Sequence, residues 1–91
     1  MDSIRMITNT LNETVADVFM METEYIAAHH ELNFMTDLIA TSLQYYPLIT
    51  ELEELLDIDI DVHDFQSKLH TIGDAADFLV GLYTEQKGEE G

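Results

Sequence analysis

The chain of 91 residues contains no cysteine. That absence removes disulfide staples, thiolate catalysis and zinc–sulfur sites from the possible chemistry. Basic residues are almost as scarce: Arg5, Lys68 and Lys87 stand against 19 Asp and Glu, a formal net charge of −16. Nucleic-acid binding is driven by Lys and Arg displacing counterions, so this balance argues against it. It argues equally against an anionic membrane surface. No stretch reaches the roughly 20 apolar residues that a membrane span needs. The start, Met1-Asp2-Ser3-Ile4-Arg5, lacks the basic opening and apolar run of a signal peptide, so a cytoplasmic location is expected. Asn12-Glu13-Thr14 spells a glycosylation sequon, which without a secretory signal is read as chance.

What is present points to a folded helical domain. Apolar residues make up 46% of the chain and recur regularly, which sets it apart from an acidic disordered segment. Ile4, Ile7, Leu11, Val15 and Val18 form one helical stripe, with Asp2 or Ser3 as its expected cap. That helix fades between Asp17 and Met21. The stretch from Glu22 to Thr41 has no clean period; it predicts a short helical turn around Glu24 to His30, then a long loop pinned by Leu32, Phe34 and Leu38. A second helix is expected from Ser42 to Leu56, with Leu48, Leu52, Leu55 and Leu56 on one side and Glu51, Glu53 and Glu54 on the other. Pro47 falls just beyond the first turn, so either the helix kinks or residues 42–46 form a looser turn. Tyr45 and Tyr46 are adjacent, so at most one reaches the core.

Asp57-Ile58-Asp59-Ile60-Asp61 alternates like a strand but has no pairing partner elsewhere; an extended connector that tucks Ile58 or Ile60 inward is expected. A short third helix follows over Val62 to Lys68, anchored by Phe65. The last helix starts at Thr71, with Asp74 completing a capping-box-like pair. Ile72, Ala75, Ala76, Leu79 and Leu82 supply its buried face, with Phe78 alongside. The predicted fold is all-α: a small antiparallel bundle of three main helices plus one short helix, one domain over residues 1–86 and a flexible tail over 87–91.

No catalytic constellation stands out, and the chain is not expected to be an enzyme. Asp57, Asp59 and Asp61 begin like a calcium loop, but Val62 and Lys68 occupy the positions where an EF-hand needs glycine and glutamate. His29 and His30 are adjacent and complete no ligand spacing; His63 and His70 fit helix boundaries, so no metal site is assigned. Ser42 opens the acidic second helix, where a serine is ordinarily an N-cap.

Asp37-Leu38, Ser42-Leu43, Leu48, Leu52, Glu53, Glu54, Asp57, Ile58, Asp59 and Ile60, and then Thr71, Ile72, Asp74, Ala75, Ala76 and Asp77, resemble an acyl carrier protein. The resemblance covers roughly residues 3–83 and is sharpest from Phe34 to Leu79. It implies a phosphoprotein of fatty-acid, polyketide or related lipid metabolism. In that family a serine carries 4′-phosphopantetheine, transferred from coenzyme A, and the arm holds an acyl or aminoacyl thioester. Carried onto this chain, Ser42 is the attachment site. Leu43, Tyr46, Ile49, Glu51, Glu53 and Glu54 would meet a phosphopantetheinyl transferase and the acyl-loading and condensing enzymes through their basic docking patches. Short acyl chains would shelter between the second and third helices of a monomer.

The chain departs from the family pattern Asp-Leu-Gly-x-Asp-Ser-Leu at two points. Thr41 replaces the acid that helps position the transferase's magnesium, keeping an oxygen but no charge. Ile39 replaces the glycine and is expected to alter the loop's path. Gln44 and Pro47 thin the acidic face near Ser42. The alternative reading is an unmodified, carrier-like interaction module that uses the acidic second helix as a docking face; a helical dimer is a third.

Overall fold

A computed structural model describes residues 2–88, the side chains of Asp2 and Ser42 excepted. Among the described residues five helices follow in order: α1 (Asp2–Phe19), α2 (Thr23–Ala28), α3 (Ser42–Leu56), α4 (Val62–Lys68) and α5 (Ile72–Lys87). The fold is a small all-α bundle, as the apolar spacing predicts, with two short helices rather than one. α1 is the hub and packs against α2, α3 and α5, while α4 packs on α3. The radius of gyration is 12.1 Å, close to the roughly 12 Å expected for a globule of this length. No described helix is long and apolar enough to cross a membrane.

The α1 stripe is buried at Ile7, Leu11 and Val15, with Ala16 beside it, whereas Ile4 is exposed and Val18 half-buried. Asp2 and Ser3 both lie inside α1, so neither is its cap; the cap position falls outside the described residues. Asn12, the residue of the apparent sequon, is buried in α1, and its Oδ1 lies 2.7 Å from Nε2 of His30. That bond ties α1 to the end of α2, while His29 stacks on Tyr25 with ring centroids 4.2 Å apart. The two histidines therefore serve different local contacts.

In α3, Leu48, Leu52 and Leu56 are buried as the pattern requires. Leu55 is not: it is 57% exposed and lines a groove with Glu13, Asp17 and Glu51 at the edge of the α1–α3 contact. The connector after α3 has no helix or strand over residues 58–61 and buries both Ile58 and Ile60. Its strand-like pattern finds helix side chains in place of a neighbouring strand. Gln86 of α5 accepts the Asp59 N–H and donates to the Asp59 carbonyl, both at 2.8 Å, and Glu53 accepts the Ile60 N–H at 2.8 Å. Asp57 caps α3 in the left-handed region (φ 56°), a conformation that Asp tolerates better than most residues. Lys87 holds it with a 2.7 Å ion pair. Lys87 is thus the last residue of α5 rather than part of a tail, and Gly88 closes that helix at φ 66°; residues 89–91 lie outside the described residues.

A link that joins the two halves is non-local. Phe34 N–H donates to the His70 carbonyl (2.8 Å), Ile72 N–H to Leu32 (3.0 Å) and Gly73 N–H to His30 (2.9 Å). The long loop is thereby sewn to the α4–α5 junction, where Thr71 and Asp74 form the expected capping box. Leu52→Ala should lower unfolding free energy by about 3 kcal/mol, because it empties a fully buried site, whereas Leu55→Ala should cost less than about 1 kcal/mol. Urea midpoints at constant slope distinguish the two.

The Asp74 carboxylate accepts the backbone N–H of Thr71 (3.2 Å) and that of His70 (3.3 Å). The Thr71 bond is the main cause that holds its pKa below the ordinary 3.8. A carboxylate whose folded pKa is depressed contributes stability that is complete above its unfolded pKa and is lost as pH falls through the folded one. The stability advantage of the wild type over Asp74→Asn should therefore shrink below about pH 4. Acidification also relieves the net repulsion in both proteins, so the readout is the difference between their melts at about pH 7 and about pH 3.

Candidate functional site

The approach to α3 is built on Asn33. Its Oδ1 accepts the N–H groups of Met35 (2.8 Å) and Thr36 (3.1 Å), an Asx-type turn. Asp37 Oδ2 returns to the Asn33 N–H at 2.8 Å, and the Asn33 carbonyl accepts from Asp37 and Leu38. The loop closes where Ala40 N–H donates to the Phe34 carbonyl at 2.7 Å. Between these ties Ile39 has φ 53°. That left-handed conformation is the one glycine adopts freely, and a β-branched residue holds it at a cost of about 1–2 kcal/mol. Ile39 thus sits in a backbone conformation that glycine favours.

Thr41, with φ −119° and ψ 175°, is the N-cap of α3. Gln44 Oε1 accepts both the Thr41 N–H (2.9 Å) and the Thr41 hydroxyl (2.6 Å). Ser42 is consequently the first helical residue and not the cap, which corrects the ordinary reading of that position; its side chain lies outside the described residues. The Thr41-x-x-Gln44 spacing of a capping box was legible in the chain, and it gives Gln44 a structural task. α3 runs continuously through Pro47, so the looser-turn alternative for residues 42–46 does not occur. Pro47 offers no N–H to the carbonyl of Leu43, but Leu43 is 84% exposed and water can serve it.

The charge along α3 runs against the usual order. α4 and α5 each place an acid in the first turn and a lysine in the last, Asp64 with Lys68 and Asp74 with Lys87. These arrangements complement the helix dipole. α3 has no acid in its first turn and no base in its last, where Glu53 and Glu54 stand instead. Its N-terminus is left neutral in a chain of net charge −16.

The residues assigned to a docking face divide. Leu43, Tyr46 (61% exposed), Glu51 and Glu54 lie on the surface. Glu53 is half-buried and bonded to the Ile60 N–H, so part of its charge serves the connector. Ile49 is 2% exposed and belongs to the core, which withdraws it from any docking set. Met35 and Ile39, exposed on the loop before α3, extend the apolar surface next to Leu43 in the chain.

Beside the α3 N-terminus lies an open cleft of about 450 Å³ lined by Met35, Ala40, Thr41, Tyr45 and Gln66. Tyr45 is buried while Tyr46 is exposed, as their adjacency requires, and burial pushes the Tyr45 phenol above its ordinary value of 10.0. The Tyr45 ring meets Phe34 and Phe65, and those two meet each other, all with centroids 6.1 Å apart. Phe65 continues edge-on to Phe78 at 6.2 Å and Phe34 to Phe19 at 6.5 Å. These rings occupy the interior between α3 and α4, where shelter for a short chain was expected.

No protein-family model matches this chain, and neither does any curated protein.

Replacing Ile39 by glycine should raise stability by about 0.5–1 kcal/mol. The released backbone strain exceeds the added freedom of the unfolded chain, and the exposed Ile39 side chain forfeits little packing. A fall in the urea midpoint would show that Ile39 is held by contacts and not merely tolerated.

Proposed function

We propose that this chain is a divergent acyl carrier protein working in the cytoplasm, with 4′-phosphopantetheine attached to Ser42. The observation that carries the reading is the inverted charge of α3. Its first turn is neutral and capped by Thr41 and Gln44, while its acids are placed toward the far end. Amides in a first helical turn lack internal acceptors, and the dipole there favours an anion. A phosphodiester on the first helical residue would supply the negative charge that the sequence withholds. The N-cap position, where a serine hydroxyl would ordinarily be engaged, is held by Thr41.

In this reading the chain carries out no chemistry of its own. The arm presents its thioester to separate enzymes, and the protein supplies orientation and recognition. Leu43 and Tyr46, with Met35 and Ile39 beside them, offer apolar contact; Glu51 and Glu54 offer the charge that draws a basic patch toward it. The partners are a phosphopantetheinyl transferase and acyl-loading and condensing enzymes with basic docking surfaces. The same exposed face supports the second reading, an unmodified interaction module, because its apolar side chains need no arm to bind a partner.

The test is intact mass after incubation with coenzyme A, magnesium and a broad-specificity transferase, paired with a thiol assay. A chain without cysteine gives no thiol background. One added phosphopantetheine, one new thiol, and the loss of both in a folded Ser42→Ala variant are expected. Addition that survives Ser42→Ala, or no addition with any transferase, would overturn the carrier reading; the second result would favour the interaction module.

A further inference from the structure

The aromatic rings inside the bundle bear on what such an arm could carry. Phe34 comes from the loop, Tyr45 from α3 and Phe65 from α4, and their three centroids form a triangle 6.1 Å on each side. Phe34 and Phe65 are fully buried and Tyr45 nearly so. Close-packed rings leave no room for a second apolar chain unless one of them moves, and moving one breaks contacts with both of the others. The position is also tied from the backbone. Phe34 donates to His70 and accepts from Ala40, which fixes the backbone from which its ring extends.

Outside this triangle lies the cleft of Met35, Ala40, Thr41, Tyr45 and Gln66. Thr41 precedes Ser42 directly, so an arm on Ser42 begins one residue from that cleft. Its lining mixes the apolar Met35 and Ala40 with the polar Thr41 and Gln66, and Tyr45 separates it from the rings beneath.

We infer that the interior of this protein admits no alkyl chain, and that its cargo is a short or polar acyl group held at the outer cleft. The inference deepens the carrier reading and rests on it for the word cargo. Its physical content, the closed interior, can be measured without any transferase. The absence of cysteine makes Ser42→Cys a single reactive site. That variant is alkylated with maleimide tethers of pantetheine length ending in acetyl, butyryl or decanoyl amides. A chain sheltered inside the bundle would raise Tm by roughly 3–6 °C for each methylene buried.

The expected result is a Tm that agrees across the three tethers to within about 2 °C, with the Phe34 and Phe65 ring proton resonances unmoved. A chain-length dependence should then appear in Ser42→Cys/Tyr45→Leu, where one ring is gone. A Tm that climbs with chain length while Tyr45 is present, or ring resonances that move between the acetyl and decanoyl forms, would overturn the inference. A flat series in a folded Tyr45→Leu background would also overturn it, because the rings would not then be the barrier. Failure of the enzymatic loading at Ser42 is read separately by intact mass, so it removes the carrier assignment without disturbing this measurement.

Discussion

Phe34 is the residue on which the rest of the structure depends. Its amide reaches the His70 carbonyl and its carbonyl holds the Ala40 amide, so one residue ties the loop both to the α4–α5 junction and to the approach to α3. Its ring sits against Phe19, Tyr45 and Phe65, which belong to α1, α3 and α4. Each such aromatic contact adds about 0.5–1.5 kcal/mol beyond the area it buries. Without this side chain the loop before α3 would lose its anchor, and the start of α3 would lose its position relative to α4. The candidate attachment point is therefore placed by a core residue eight positions earlier in the chain.

A second constraint is the shortage of cations. Three basic residues cannot neutralise nineteen acids, and the ion pairs of Lys87 with Asp57 and Lys68 with Asp64 are set among exposed groups. The chain instead gives carboxylates to its own backbone. Asp37 accepts from Asn33, Glu53 from Ile60, Asp61 from Asp64, and Asp74 from His70 and Thr71. Each bond serves an amide at a helix start, a turn or the connector after α3, where no regular backbone acceptor is available. The acidity is thus partly structural, and only the remainder, such as Glu51 and Glu54, is free to act on a partner.

Much of this was legible in the sequence because it is local. The apolar spacing of Ile7, Leu11 and Val15, the boundaries of α3 and α4, the inward Phe65 and the Thr71–Asp74 cap all follow from periodicity and capping chemistry. Leu55 and Ile49 were placed on the wrong sides because α3 contacts both α1 and α4, so the width of its buried arc depends on neighbours that a single helix does not reveal. The pairing of residues 30–34 with 70–73 joins irregular segments far apart in the chain, and no local pattern signals it. Gln86 imitating a neighbouring strand for Asp59 is equally invisible, since it is set by the distance between two elements. Thr41 is a different case: its capping spacing with Gln44 is local, but it stands beside Ser42, a residue type equally common as an N-cap. For the site, the exposed Leu43 and Tyr46 and the partial commitment of Glu53 could be separated only once the helix was packed.

α3 offers the clearest argument that something other than stability shaped this chain. Reversing its charges toward the dipole-favoured order is worth a few tenths of a kcal/mol to about 1 kcal/mol at each end. α4 and α5 realise that gain with two of the three basic residues the protein possesses, and Lys87 also steadies Asp57 at the end of α3. α1 and α2 also lack a base in the last turn, so what sets α3 apart from α2, α4 and α5 is a first turn without an acid. Its neutral start is also where Ile39 holds a left-handed backbone and where apolar Leu43 and Tyr46 face water. Strain, exposed apolar surface and a forgone electrostatic gain meet within eight residues around Ser42. Local rules broken together in this way mark a functional site more often than a folding one. An anion attached at the start of α3, and a basic partner along its acidic end, would turn each of those costs into a recognition feature.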